Sequence, residues 1–370
     1  MRLIHLADFA APYAGSFIPM IRAALTGARR EGWESELVLP EAARGRPWLR
    51  ALEDDRIPVR FLPAGSKAQA HTGIGSLLAE SSDATILHSH FASFDVPMAR
   101  AARGRPLTTL YWHVHSQLSS DPLVRLRNTA RFLAYGPRVR GILCVAPHLV
   151  DEVRSRLAPR GRVRSFPNAI DTSAYPLATP QERAAARERL GLSPRARVVL
   201  HFGWDWYLKG GDLLLGAARR LNGRDDVVFL TVGGGDVAAA AIAASGLGDR
   251  VRLLEPVESA GSLYATADVL LSPSRTEGMP FSMIESLACG TAVVASAVPG
   301  QLYVGRDLAA CRFTGLDADE VVAGITGMLA RDAATVEADA RAARDRIVTS
   351  MDIELWAERL IALYRRSAIA

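Results

Sequence analysis

Short apolar runs alternate with amphipathic helical patterns along the whole chain, and this alternation restricts the fold more than any other feature. The first apolar run is Arg2–Ala7, a helical pattern follows over Phe17–Glu31, and a second run covers Glu34–Leu39. Such alternation is typical of βαβ units, in which parallel strands are joined through helices. The sequence therefore predicts an α/β protein built on parallel sheets.

The alternation is interrupted once, where a capping-box pattern at Thr179 predicts the start of a polar helix. A second alternation begins with the apolar run at Val198. Because 370 residues exceed the size of one ordinary hydrophobic core, we predict two Rossmann-like domains. The predicted domains are residues 1–171 and 172–351, and a C-terminal helix within 352–370 is expected to return to the first domain.

Composition excludes several classes of protein. Hydrophobic residues make up 49% of the chain and charged residues 22%, which indicates a folded globular protein rather than a disordered one. The N-terminal apolar run is too short for a secretory signal, so we expect a cytoplasmic protein. The three cysteines are far apart and contain no CxxC pair, which favours buried thiols over a metal or redox site. The net charge of +5 is spread along the chain, so no nucleic-acid partner is expected.

The strongest candidate site lies between Ser272 and Gly290. A predicted strand ends at Ser272, a loop carries Glu277, and a helix follows that begins near Pro280 and contains Glu285. Ligands of parallel sheets bind at the carboxyl ends of strands, and free amides at the start of a helix suit a diphosphate. Spacing alone still favours a simpler alternative, in which both acids are solvated. The candidate residues of this site are Arg275, Gly278, Met279, Pro280, Phe281 and Glu285, and the resemblance described next makes them donor-binding residues.

This segment resembles the retaining glycosyltransferases of the GT-B fold, family-4 type, whose signature is two glutamates separated by seven residues. Glu277 and Glu285 have that spacing. The segment Phe166–Asp171 is similar to the Pro-Asn-Gly-Ile-Asp element between the family's domains, with Ala169 in place of glycine. The resemblance covers nearly the whole chain and implies an α/β protein with two facing Rossmann-like domains.

Lys209 occupies the position of the family's diphosphate-binding lysine, in a loop that begins at Gly203. Only Lys67 and Lys209 are lysines among 44 basic residues, and a compact ammonium at this position agrees with a role as a point charge. The arginine that the family has after Gly203 is replaced by Trp204, so Arg275 is a candidate to supply its charge. Gly203 and Lys209 are therefore assigned to the donor site.

The resemblance implies transfer of a sugar from a UDP- or GDP-sugar to an acceptor hydroxyl, with retention at the anomeric carbon. Glu277, Lys209 and His113 are the implied catalytic residues. We expect a metal-independent reaction with no cofactor beyond the nucleotide sugar, because the one Asp-x-Asp, at 317–319, lies at a predicted helix start where capping explains it. The implied acceptor is a glycan, a lipid-linked molecule or a small metabolite.

Two His-x-His pairs, His88/His90 and His113/His115, lie at predicted strand ends. Alternate residues of a strand face the same way, so a metal site is one interpretation, although neither pair indicates a third ligand. The resemblance places His113 near the sugar and makes the other three candidates for the acceptor or sugar. Packed, hydrogen-bonded histidines are the alternative.

Gly15 precedes the first predicted helix. It is either a donor-binding glycine or an ordinary turn glycine.

Arginines recur between residues 125 and 164, which suggests peripheral contact with the inner face of an anionic membrane, or else a solvated helix face. Two other classes of protein remain. A nicotinamide-dependent oxidoreductase is disfavoured because no GxGxxG follows the first strand. A non-catalytic nucleotide-sugar-binding protein of the same fold agrees with the missing arginine.

Overall fold

The computed structural model describes residues 1–257 and 260–368, without the side chains of the last two of these. The chain divides into an N-terminal unit, Met1–Ala169 together with the segment from Ile353 onward, and a C-terminal unit, Ile170–Asp352. These borders lie within two residues of the expected ones. Residues 369 and 370 of the predicted final helix lie outside the described residues.

The N-terminal unit contains a seven-stranded parallel sheet in the order β3-β2-β1-β4-β5-β6-β7. Its strands are β1 (Arg2–Ala7), β2 (Glu34–Pro40), β3 (Val59–Leu62), β4 (Thr85–His90), β5 (Thr108–Val114), β6 (Gly141–Cys144) and β7 (Val163–Ser165). Its α-helices are α1 (Phe17–Arg30), α2 (Leu49–Asp54), α3 (Lys67–Ala79), α4 (Asp95–Ala101), α5 (Pro122–Tyr135), α6 (Pro147–Ser155) and the final helix of the chain, α15 (Ile353–Ala368).

The central strands of this sheet are covered on both faces. Every residue of β1 and β4 is buried, which is why β1 reads as a nearly continuous apolar run. The order of the strands reverses between β1 and β4, and the carboxyl ends at such a reversal form the usual binding crevice of an open α/β sheet. Histidines from β1, β4 and β5 lie near these ends.

Helix α15 belongs to the N-terminal unit. Its residues Trp356, Leu360 and Tyr364 recur at helical spacing and are buried. The Tyr364 hydroxyl hydrogen-bonds His88 Nδ1 of β4. The last helix of the chain therefore completes the core of the first unit. It also places the Tyr364 hydroxyl next to His88 on the central strand β4.

The C-terminal unit contains a six-stranded parallel sheet in the order β10-β9-β8-β11-β12-β13. Its strands are β8 (Arg197–Phe202), β9 (Val227–Val232), β10 (Val251–Leu254), β11 (Val269–Ser272), β12 (Ala292–Ser296) and β13 (Cys311–Thr314). Its α-helices are α7 (Pro180–Arg189), α8 (Gly211–Arg220), α9 (Gly235–Ser245), α10 (Gly261–Thr266), α11 (Phe281–Ala288), α12 (Pro299–Gly305), α13 (Ala318–Leu329) and α14 (Ala333–Ser350).

Local sequence signals explain several of these helix ends. Thr179 and Glu182 form the predicted capping box at the start of α7. The Asp317 side chain accepts from the amides of Asp319 and Glu320 at the start of α13, so the Asp-x-Asp at 317–319 is a helix cap. None of the helices among the described residues combines the length and apolar character needed to cross a bilayer.

The expectation of buried thiols is confirmed for Cys144 and Cys289, while Cys311 is partly exposed. Burial raises the pKa of all three thiols to about 12, which keeps them protonated at neutral pH. They are therefore inert packing groups rather than nucleophiles.

Candidate functional site

Lys209 and Glu277 form an ion pair in the C-terminal unit, with Lys209 Nζ 2.6 Å from Glu277 Oε1. Lys209 lies in the loop after β8, and Glu277 lies in the loop after β11. These two strands are neighbours in the sheet, so their carboxyl ends bring the loops together. The side chains are 29% and 10% exposed, which leaves the ammonium accessible while the carboxylate is largely covered.

The backbone of Lys209 is held by a buried histidine that sequence reasoning missed. His201 Nε2 donates to the Lys209 carbonyl at 2.9 Å, and His201 Nδ1 accepts from the Thr231 hydroxyl at 2.9 Å. A carbonyl oxygen can only accept, so this pair of contacts fixes one neutral tautomer. Burial lowers the pKa of His201 to about 4, which keeps the ring neutral at physiological pH.

Gly210 completes the loop because no other residue fits there. Its φ is +73°, and a Cβ at this position would lie 2.3 Å from the Pro273 carbonyl oxygen. Pro273 follows β11 directly. The glycine therefore allows the lysine loop to rest on the segment that leads to Glu277.

Trp204, which replaces the family's arginine, packs against the loop after β9. A Cβ on Gly233 would lie 2.2 Å from the Trp204 ring, and the indole is 41% exposed. The neighbouring Trp206 packs in the same way on Gly211 at the start of α8. Each tryptophan thus occupies space made available by a glycine, and the departure from the family pattern is accommodated by packing.

Arg275 is engaged with its own unit. Its guanidinium donates to both carboxylate oxygens of Asp212, at 2.9 and 2.8 Å, and to the Tyr207 carbonyl at 2.5 Å. The guanidinium also stacks over the Tyr207 ring at 3.9 Å. The hydrogen bonds from Arg275 lower the pKa of Asp212, so the pair stays ionised. A donor diphosphate would meet an arginine whose charge Asp212 already balances.

The loop from Gly278 to Pro280 is buried and leads into α11, with Pro280 as its N-cap residue. Helix α12 supports this loop from behind. A Cβ on Gly300 would lie 2.4 Å from the Glu277 carbonyl oxygen, so only glycine allows this approach. Gln301 donates to the Ser272 carbonyl at 3.0 Å and to its hydroxyl at 2.6 Å. Neither supporting residue stood out in the sequence.

Two further residues were expected in this loop. Met279 is buried, and Phe281, the first residue of α11, is half-buried.

Glu285 is buried, with 6% of its surface exposed, and its Oε2 accepts a 2.7 Å hydrogen bond from the Tyr264 hydroxyl. Burial, together with the charge of Glu285, raises the pKa of Tyr264 well above its ordinary value. The alternative in which both glutamates are solvated is therefore wrong. Glu277 pairs with a lysine and Glu285 with a buried phenol.

A cluster of five histidines lies in the N-terminal unit: the four expected from the sequence, His88, His90, His113 and His115, and also His5. Strand register explains the grouping, since His5 is aligned with His88 and His90 with His113. His5 Nδ1 lies 2.9 Å from His90 Nε2, and His90 Nδ1 lies 3.0 Å from His115 Nε2. Neither His-x-His pair indicated His5, because its proximity depends on which strands are neighbours.

Burial makes these imidazoles weak bases. It lowers the pKa of His5 and His113 to about 3 and that of His88, His90 and His115 well below the ordinary value. The rings are therefore neutral at physiological pH.

Gly15, in the first unit, has a φ of +54° and precedes α1, with no atom within 4 Å of where a Cβ would lie. Space for a ligand and the needs of an ordinary turn both agree with that position.

Both halves of the chain match glycosyltransferase family models. Residues 20–174 match the model of Glycosyltransferase Family 4, and residues 196–331 match the model of Glycosyl transferases group 1. These two models together match most of the chain, which belongs to the glycosyltransferases of the family 4 and group 1 type. The D-inositol 3-phosphate glycosyltransferase of Geodermatophilus obscurus is 33% identical to this glycosyltransferase over 279 residues, which make up 66% of the chain and 59% of that relative. The chain thus spans less than two thirds of that relative's length.

Solved structures of similar shape establish the fold of this glycosyltransferase as GT-B. The Anabaena protein HepE in complex with UDP-glucose has a TM-score of 0.85 at 17% identity, with 99% of this chain and 100% of that chain covered. The sucrose-phosphate synthase of Thermosynechococcus elongatus has a TM-score of 0.82 at 19% identity, with 99% of each chain covered. At these identities the likeness concerns the fold alone.

Proposed function

We propose that this glycosyltransferase moves a sugar from a UDP- or GDP-sugar to an acceptor hydroxyl and retains the configuration of the anomeric carbon. The observation that carries the proposal is the ion pair of Lys209 and Glu277, formed where two neighbouring strands end. A cation and a carboxylate side by side match the two chemical parts of a nucleotide sugar, the diphosphate and the hydroxyl-bearing ring.

Breaking the bond between sugar and phosphate leaves negative charge on the departing diphosphate. The greatest catalytic need is to stabilise that charge where it develops. Lys209 supplies a compact, partly exposed cation, and the amides at the start of α11 supply further donors. The ammonium then binds phosphate on one side and the Glu277 carboxylate on the other.

Glu277 positions the sugar by accepting hydrogen bonds from its hydroxyls, and Glu285 accepts from the ribose. Tyr264 holds one oxygen of Glu285, so the orientation of this buried carboxylate is set before the donor arrives. Preorganisation of this kind lowers the ordering cost of binding. Neither acid is proposed as a nucleophile.

The transfer is proposed to proceed without a metal ion. In the Asp-x-Asp at 317–319, Asp317 caps α13 and Asp319 pairs with Arg220, which accounts for both acids without a diphosphate-bound cation. Charge neutralisation of the diphosphate is assigned to Lys209 instead. The name of one relative, a D-inositol 3-phosphate glycosyltransferase, supports sugar transfer, and the complex of the structurally similar HepE with UDP-glucose agrees with a UDP-sugar donor.

The acceptor is proposed to bind to the N-terminal unit and to be a glycan, a lipid-linked molecule or a small metabolite. His113 is the proposed contact to the sugar or acceptor, with His88, His90 and His115 near it. The position of these rings around the reversal of strand order supports this assignment.

Peripheral contact with an anionic membrane is proposed for α5. Leu123, Leu126 and Leu133 are 67%, 66% and 53% exposed, and Arg125 and Arg127 are exposed on the same helix. Exposed leucines beside arginines suit the boundary between headgroups and acyl chains. Sedimentation with phosphatidylglycerol vesicles tests this contact, and equal binding by the Leu123→Ser/Leu126→Ser variant would contradict it.

The transfer itself is tested in two steps. Thermal shift with UDP-sugars, GDP-sugars and NAD(H) identifies the donor, because a ligand of the native state raises its stability. NMR of the product with the identified donor then reports the anomeric configuration. Inversion contradicts retention, nucleotide-sugar binding without turnover favours the non-catalytic alternative, and binding of NAD(H) alone favours an oxidoreductase.

A further inference from the structure

Five of the eight histidines of the chain contact one another at the sheet ends of the N-terminal unit. Ligand atoms of His90, His113 and His115 all lie within 4.8 Å of one another. We propose that these three imidazoles bind a divalent transition-metal ion of the zinc, cobalt or nickel class. The metal site is an alternative use of His113, the proposed contact to the sugar or acceptor, because its two nitrogens cannot serve both partners at once. It lies in the unit that does not contain Lys209.

His113 carries the strongest feature of a metal ligand. Its Nε2 lies 3.4 Å from the Phe166 carbonyl oxygen, which can only accept, so Nε2 carries the proton and Nδ1 the lone pair. Histidines that bind metals usually donate their other N–H to a carbonyl or carboxylate in this way. His113 Nδ1 is buried and has no hydrogen-bond partner among the described residues.

A lone pair buried without a partner is costly, since neither water nor protein replaces its lost hydrogen bond. His113 is 3% exposed, so the cost applies fully. A metal ion within reach of Nδ1 would remove that cost. The orphaned nitrogen is therefore an open position that a metal ion can fill.

His90 and His115 supply the other two nitrogens. His90 Nδ1 and His115 Nε2 lie 3.0 Å apart. Two nitrogens bound to one tetrahedral ion at roughly 2.1 Å lie about 3.4 Å apart, so these two atoms need to separate by only a few tenths of an ångström to hold a metal ion in place of their shared proton. Strand alternation and register already direct the three side chains to one face of the sheet.

Access distinguishes this trio from the other group of ligand atoms, His5, His88 and His90. All three members of that inner group are buried, and Tyr364 hydrogen-bonds both His5 and His88. In the outer trio His115 is only half-buried, so this group borders solvent, from which an ion and a fourth ligand such as water can approach. Three histidines with an open position form a known type of zinc site.

The donor set also selects the class of metal. Three neutral nitrogens suit zinc, cobalt, nickel and copper, whereas magnesium and calcium prefer oxygen ligands. No carboxylate or thiolate belongs to either group of ligand atoms among the described residues. Magnesium is therefore a negative control for the same measurement.

The test is calorimetric titration of the chelator-treated full chain with Zn²⁺ and Mg²⁺, together with the visible spectrum of the Co²⁺ form. We expect one Zn²⁺ per chain, no Mg²⁺ binding, and a Co²⁺ spectrum of tetrahedral nitrogen coordination. His113→Ala and His115→Ala should each weaken Zn²⁺ affinity by about 100-fold or more. His71→Ala, on α3 outside the cluster, is the matched control and should keep wild-type affinity.

Circular dichroism of each variant before titration separates loss of the fold from loss of the site. A folded His115→Ala variant with unchanged Zn²⁺ affinity would overturn the proposal, and so would a wild-type chain that binds no Zn²⁺. Loss of zinc binding in His71→Ala to the same degree would also overturn it. None of these readouts involves sugar transfer, so their failure and failure of the proposed function are distinguishable.

Discussion

Lys209 and Glu277 are 68 residues apart in the chain, yet Lys209 Nζ donates to Glu277 Oε1. The contact joins the loops that follow β8 and β11, and each loop is anchored separately, the first by His201 and the second by α12. A diphosphate bound as proposed would therefore share an ammonium that Glu277 already holds. This relationship leads to the following predictions.

Lys209→Ala should lower kcat/KM for sugar transfer by about 100-fold or more, the usual effect of removing one donor that stabilises transition-state charge. Lys209→Arg should restore little of it, because a planar guanidinium does not replace a compact ammonium beside Glu277. The control is Lys67→Ala, which removes the only other lysine of the chain, an exposed residue at the start of α3. Steady-state kinetics near the wild-type rate for Lys209→Ala would contradict the role.

Glu277→Gln should lower kcat/KM by about 10- to 100-fold, since a hydrogen bond to a charged group contributes about 1.5–3 kcal/mol. The affinity for the free nucleoside diphosphate should change little, because the carboxylate is assigned to the sugar and not to the phosphates. Competition by UDP or GDP measures that affinity. Glu255→Gln alters an exposed acid of the same unit and serves as control. Wild-type turnover by Glu277→Gln would remove the assignment.

Tyr264→Phe should lower the free energy of unfolding by about 1–3 kcal/mol, because Glu285 then stays buried with one hydrogen-bond donor fewer. The KM for the donor should rise as well, since the carboxylate loses its fixed orientation. Urea titration and steady-state kinetics measure the two effects. Tyr303→Phe, at a tyrosine that is 38% exposed, should change neither quantity. Equal stability of Tyr264→Phe and wild type would show that the buried phenol contributes nothing.

His201 should make stability depend on pH. Its pKa is lowered from 6.5 to about 4 in the folded chain, so the unfolded chain binds the proton more readily between these values. The stability is therefore complete above pH 6.5 and falls with decreasing pH until about pH 4, by about 1.4 kcal/mol per pH unit for this one group.

His201→Gln should reduce that dependence by one proton, because the carboxamide keeps one donor and one acceptor but does not titrate. Urea unfolding at a series of pH values, followed by tryptophan fluorescence, provides the measurement. Parallel pH profiles for variant and wild type would mean that His201 does not carry the proton difference.

Much of the fold followed from the order of apolar runs, which located β1, β4, β8 and β11 because each is short, apolar and bounded by helical patterns. Strand β13 was missed. It spans only Cys311–Thr314 at the edge of its sheet and includes an exposed arginine, so it lacks the continuous apolar run of a central strand.

The residues of the candidate site were predictable where a short motif contains them. They were not predictable where their partners come from strands or helices distant in the sequence. Glu277, Glu285 and Lys209 were found from motif spacing and resemblance. Tyr264 and His201 were not, because a tyrosine in a short helix and a histidine in an apolar strand carry no local signal of their partners. His5 belongs to the same class, since only the adjacency of β1 and β4 brings it to His88.

Gly300 has a bearing on any attempt to redesign which donor this enzyme accepts. A Cβ at this position would clash with the carbonyl oxygens of Glu277 and Gly278. The backbone of α12 therefore packs directly against the loop that carries Glu277. Libraries that randomise only residues 275–281 keep the contact with Gly300. That contact limits the backbone conformations that the loop can adopt. Randomising position 300 alone would force side chains into the loop and yield mostly inactive clones. A productive library has to vary both segments together.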